Sequence, residues 1–171
     1  MLLFRIIAFR TLQNIFKLLP QTIMKLNFDT AIQEVAKKFM AQVKEISPNC
    51  YSLDVPFELQ DGTKRYQYVY AWVIAERAKG KDCYYFSSRC GIINKTTDYY
   101  NLLKEASYGI YTSITIAADQ TSSGEPCEAV VIQASPIAEY VTSVEEMAVI
   151  LWEVAEMADI IEEKYFGGDK N

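Results

Sequence analysis

The sequence predicts an α+β fold with element order α-β-β-β-α-β-β-α. The expected form is a twisted antiparallel sheet of about five strands with the N- and C-terminal helices packed on it. Three observations carry this. Residues 142–166, TSVEEMAVILWEVAEMADIIEEKYF, hold apolar side chains at three- and four-residue steps. Residues 51–60 alternate strictly, with Tyr51, Leu53, Val55, Phe57 and Leu59 against Ser52, Asp54, Pro56, Glu58 and Gln60. Asp61-Gly62 then offers a strong hairpin signal before a second alternating run, 64–76.

The chain begins with residues 1–23, a basic apolar segment free of acids. Arg5 and Arg10 interrupt it well short of the ~20 apolar residues a membrane span needs. Arginine inside the would-be apolar region and the lack of a small-residue cleavage site also argue against a secretory signal. Two readings stay open: an amphipathic helix at a membrane surface or on a partner, and a translation start at Met24 that leaves residues 1–23 outside the protein. Residues 24–171 form the single folded domain, since 171 residues at 50 % hydrophobic supply one core and little material for a second.

A helix is expected over residues 29–46. Asp29 or Thr30 is placed to cap it, and Ile32, Val35, Ala36, Phe39, Met40, Val43 and Ile46 form one face. Ser47-Pro48 stops it. The strand 51–60 contains Pro56, which lacks an N–H and belongs at an edge or a bulge. In the next strand Tyr66, Tyr68, Tyr70, Trp72 and Ile74 face one way and Val69, Ala71, Val73 and Ala75 the other, so both faces are expected to be partly covered. The turn 78–82 leads into strand 83–93.

A short helix over 97–106 should bury Tyr99, Leu102, Leu103 and Ala106. Strands 108–118 and 127–135 follow, joined by an exposed polar loop, 119–126. In the last helix Ser143 and Glu146 fit a capping box, and Gly167 or Gly168 supplies the left-handed stop. Glu145, Glu153, Glu156, Asp159 and Glu163 are expected mostly on its solvent side.

Charge and composition exclude several functions. Arg5, Arg10 and Lys17 are the only charges before Met24, so residues 24–171 hold 14 basic and 22 acidic groups, net −8. That balance disfavours phosphate backbones and hence nucleic acid. The chain has no histidine, which removes a Ser-His-Asp triad, a Cys-His pair and a Cys₂His₂ zinc site. Cys50, Cys83, Cys90 and Cys127 lack paired C-x-x-C spacing and read as reduced core residues in a reducing, cytoplasmic setting. The acidic rows of the last helix read as a solvated face. No G-x-G-x-x-G or Walker-type loop is present. No catalytic residue, metal or cofactor is therefore expected, and the chain does not read as an enzyme.

The element order, together with the closing VAEMADIIEEKYFGGD, resembles the YbjN-like family, which shares the type III secretion chaperone-like (CesT/Tir chaperone-like) fold. The Ala158-Asp159 pair and the Gly167-Gly168-Asp169 ending carry the resemblance, which spans about residues 24–169. It implies a small, acidic, bacterial α+β protein, often dimeric and without known catalytic residues. Secretion chaperones of this fold wrap an extended client segment around the dimer, whereas the YbjN-like group is tied to regulatory or stress-related roles.

The expected function is thus protein binding through an exposed sheet edge or hydrophobic surface, as a homodimer with a polypeptide client. A membrane-surface role for residues 1–23 and a ligand-binding or catalytic acidic site are the alternatives. The residues singled out for binding are Tyr66, Tyr68, Tyr70 and Trp72 on one strand, Tyr99 and Tyr100 on the short helix, and Trp152 on the last.

Overall fold

The computed structural model describes residues 26–59 and 62–167. Residues 1–23, Asp61 of the hairpin signal and the Gly168-Asp169 ending lie outside them. Among the described residues three α-helices and six strands follow one another: α1 (Phe28–Phe39), β1 (Gln42–Ser47), β2 (Cys50–Glu58), β3 (Lys64–Ala78), β4 (Lys81–Ile92), α2 (Tyr99–Glu105), β5 (Ser113–Gln120), β6 (Pro126–Ala134) and α3 (Val144–Ile161). A 3₁₀ turn, Ala106–Tyr108, extends α2, and a π turn, Glu162–Phe166, extends α3.

The fold is α+β, with six strands instead of five. The additional strand is β1, cut from the C-terminal part of the expected first helix. Met40 turns left-handed (φ 54°) and closes α1. Val43 then pairs with Leu53 and Glu45 with Tyr51, satisfying the backbone groups along that side of β2. Met40 and Ile46, expected on a buried helical face, are consequently exposed. Asn27 caps α1, its side chain accepting from Thr30 N at 2.8 Å. The expected cap Asp29 instead accepts from the Tyr51 hydroxyl at 2.9 Å.

The sheet is antiparallel throughout, in the order β1-β2-β3-β4-β6-β5. Lys79 (φ 52°) and Gly80 (φ 81°) make a two-residue turn between β3 and β4, the positive-φ pair whose twist matches the strands. The expected 119–126 loop shortens to 121–125, which is mostly exposed: β5 runs to Gln120, β6 starts at Pro126, and Thr121 N bonds Glu125 O across the turn. Pro56 pairs opposite Tyr66, and β1 begins opposite Asp54, so Pro56 lies where β2 has no outer neighbour among the described residues.

The helices α1 and α3 pack together on one side of the sheet. α3 covers β3, β4 and β6, while α1 rests on β1, β2 and α3. Between them Ile32, Val35, Leu53, Val55, Val69, Phe86, Ile132, Leu151, Val154 and Ile161 form a dry core. Ser143 accepts from Glu146 N at 3.1 Å, and Glu146 reaches back to Thr142 N at 2.9 Å, one residue beyond the usual reciprocal bond. At the far end, β4 is bulged between Arg89 and Gly91, and a Cβ on Gly91 would stand 2.4 Å from Phe166 Cγ. Only glycine lets the closing aromatic lie against that strand.

Candidate functional site

Among the described residues, the side of the sheet away from the helices has no second layer. On it β3 presents Tyr66 (44 % exposed), Tyr68 (52 %) and Tyr70 (41 %), while Gln67, Val69 and Ala71 between them are buried. The expected partial cover of both faces does not hold for these tyrosines. Their cross-strand neighbours are small or short: Tyr66 lies opposite Pro56, Tyr68 opposite Asp54, and Tyr70 opposite Ser52 on one side and Ser87 on the other. The tyrosines therefore stand as a ridge along the centre of an open sheet. Trp72 continues the ridge and is partly sheltered by Tyr85, whose ring centroid lies 4.4 Å away at 39°. Tyr85 is hydrogen-bonded through its hydroxyl to Gln133, and burial raises its phenol above the usual value. Arg89 pairs with Asp119 at 2.9 Å, which neutralises both charges.

Tyr99 and Tyr100 form part of a separate surface on the β4–β5 connection. Of the expected buried side of α2 only Leu102 is buried; Tyr99 and Leu103 are exposed. The helix has only seven residues and packs through a single side chain, so its other apolar groups project outward. Lys104 Nζ lies 4.2 Å from the Tyr100 ring centroid. Beyond α2, Tyr108 (75 % exposed), Ile110 (84 %) and Tyr111 extend the same apolar surface. Glu153 of α3 fixes this loop: one carboxylate oxygen accepts from Ile110 N (2.7 Å), Tyr111 N (2.8 Å), Thr112 N (3.1 Å) and the Thr112 hydroxyl (2.9 Å). A loop with its apolar side chains in water is thus held in one conformation by charge-assisted bonds.

Trp152 joins neither surface. It stands at the rim of the helix layer, 5.3 Å from the Phe39 ring and 5.1 Å from Phe57. The seven predicted residues thus divide among three places: the tyrosine ridge, the α2 surface and this aromatic rim.

The ionisable groups under the helices are paired for structure. Arg65 Nε lies 2.5 Å from Asp159, and its Nη2 lies 3.2 Å from Glu163. Asp159, expected on the solvent side, is buried for this reason. The bond to Asp159 raises Arg65 further above its ordinary value. Gln67 donates to Ser88 Oγ (2.8 Å) and Arg89 O (3.0 Å), and Ser88 donates to Tyr68 O (2.7 Å). All four cysteines are free; Cys83 and Cys90 are buried, while Cys50 and Cys127 are partly exposed and so are not core. Burial pushes the Cys90 thiol well up, against reactivity.

Open clefts among the described residues include two. One, of about 550 Å³, is polar and lined by Asp98, Asn101, Lys104, Glu105 and Lys164, but Lys164 and Glu105 are bonded to each other at 2.5 Å. The other, of about 570 Å³, lies by the β1–β2 hairpin. Among the described residues no three Cys, Asp or Glu side chains are grouped to hold a metal ion, and no helix is long and apolar enough to cross a membrane. Sequence reasoning missed Glu153 and Arg65, whose roles depend on partners more than 40 and 90 residues away. Comparison with family models, with curated proteins and with solved structures returned no match to this chain.

Proposed function

We propose that the protein is a non-catalytic, chaperone-like or regulatory protein-binding module that acts in the cytoplasm as a homodimer. The observation that carries this reading is the uncovered tyrosine ridge of β3, with three consecutive outward positions held by aromatic side chains in water. Tyrosine brings large apolar area with a hydrogen-bonding tip at low conformational cost, the chemistry enriched in protein interfaces. The α2 surface is a second, geometrically separate patch, which suits one patch for self-association and the other for a client. The resemblance to YbjN-like, type III secretion chaperone-like proteins supports the same reading.

Light scattering across a concentration series tests the first half. Twice the monomer mass is expected, falling to the monomer mass in Ile110→Asp; a monomer at every concentration overturns the homodimer. Photo-crosslinking from position 68 in native cells tests the second. Discrete polypeptide adducts that disappear with Tyr66→Ser/Tyr70→Ser are expected, and their absence overturns the client-binding role.

A further inference from the structure

The two edges of the sheet are finished differently. β1, at one edge, is short, carries the exposed charges Lys44 and Glu45, and shifts register between Glu45 and Ser47. A short strand, a lysine and an irregular ladder are the devices that keep an open edge from pairing with another chain. β5, at the other edge, has none of them. Ser113–Gln120 pair with β6 at every position without a shift, and no strand lies on the outer side of β5 among the described residues. The strand contains no lysine, proline or glycine, and its one charge, Asp119, is paired with Arg89.

The inner face of the sheet also runs past its cover at this edge. Ile114 and Ile116 lie on the helix side, opposite Ile132 and Val130, which are fully buried. α3 packs on β3, β4 and β6 and leaves β5 outside its main contacts, so Ile116 is 53 % exposed and Ile114 is partly exposed. Directly before β5 stands the loop held by Glu153, with Ile110 in water. Apolar side chains and outward main-chain groups are thus presented together along one line.

Charge selects the occupant. Residues 24–171 carry a net −8, so two copies repel each other through most of their surface. β5 is an exception, because residues 113–118, Ser-Ile-Thr-Ile-Ala-Ala, are uncharged and two antiparallel copies of them bring no like charges opposite each other. A strand that pairs antiparallel with its own copy is closed by a two-fold axis, in which every contact occurs twice.

We propose that the outer edge of β5 is the homodimer contact, where the β5 of a second copy pairs antiparallel and joins the two sheets into one. The inference rests on the homodimer reading above and names its surface. A two-fold axis perpendicular to the sheet keeps both helix layers on one side, so Ile114 and Ile116 of the two copies gather between them. The adjoining Ile110 loop carries the α2 surface into the same interface. The tyrosine ridges lie on the opposite side and stay open to a client.

Ile116→Lys gives β5 the guard that β1 already has, at a side chain that the fold leaves half in water. In light scattering of the full chain, the monomer mass is expected for this variant, with an unchanged far-UV circular dichroism spectrum. Twice that mass is expected for the unaltered chain and for Gln42→Lys on the β1 edge. A dimer that survives Ile116→Lys but dissociates in Ile110→Asp overturns the edge contact and leaves the homodimer standing; a monomer at every concentration overturns both. Hydrogen exchange of the unaltered chain gives a second measure that needs no variant. Amides of residues 114–118 that face away from β6 are expected to slow about tenfold or more between dilute monomer and concentrated dimer, with no such change along β1. One rate at every concentration overturns the proposal, as do slow β5 amides in a chain of monomer mass, which assign the edge to another occupant.

Discussion

The two faces of β3 are built from alternate residues of one strand, yet they follow different rules. Toward the helices lie Arg65, Gln67, Val69 and Ala71, each with its polar atoms paired or its carbon surface removed from water. Toward solvent lie Tyr66, Tyr68 and Tyr70, with more than 40 % of each exposed. Ordinary sheet design would place the aromatic side chains inside and the arginine and glutamine outside. The inversion teaches that the covered face is specified by small apolar side chains and a few closed polar networks, whereas the outer face keeps large apolar area that the fold itself does not consume.

The sharpest way to break this contrast is Arg65→Met. It leaves the Asp159 carboxylate buried without its partner, so a loss of about 3–5 kcal/mol in urea unfolding is expected, with most of it recovered in Arg65→Met/Asp159→Leu. Leu151→Ala, fully buried under the same face, should cost about 2–5 kcal/mol by the same measurement. Glu153→Ala removes the acceptor for four donors and is expected to cost about 1–3 kcal/mol. Hydrogen exchange should show faster amides at residues 110–112 with little change in the sheet.

Alkali separates the faces through Tyr51, which lies on the covered side. Burial first, then its bond to Asp29, pushes its phenol up to about 12. The folded state thus holds this proton where the unfolded chain has begun to release it. The contribution is complete below pH ~10 and is lost as pH rises toward ~12. In urea titrations Tyr51→Phe should flatten that alkaline decline. The smallest effect belongs to the open face: Tyr68→Ser is expected to change stability by no more than about 0.5 kcal/mol. A large loss there would mean that the ridge belongs to the fold.

What the sequence disclosed follows from what is local. The alternation of 51–60 and 64–76, a turn within 78–82 and the Ser143 cap are short-range patterns; the two strands and the cap appear in the structure, and the turn tightens to Lys79-Gly80. β1 was hidden because Phe39, Met40, Val43 and Ile46 satisfy a helical period, and the pairing of residues 42–47 along the edge of β2 overrides it. Asp159 was misplaced because its helical position gives no notice of an arginine 94 residues away. The tyrosine ridge was visible as a pattern, but its exposure depends on both helices packing on the same side, which alternation alone does not fix. Residues 99–103 were misread because a seven-residue helix is too short for its periodicity to define a buried face.

The loop held by Glu153 has a consequence for how this surface can change. Its shape is dictated by main-chain amides gathered on one oxygen, and the side chains of Tyr108, Ile110 and Tyr111 take no part in those bonds. Gly109 is the exception, since a Cβ there would stand 2.3 Å from the Thr112 hydroxyl. The three outward positions can therefore be exchanged for other residues while the scaffold beneath them keeps its form, so specificity can drift without refolding.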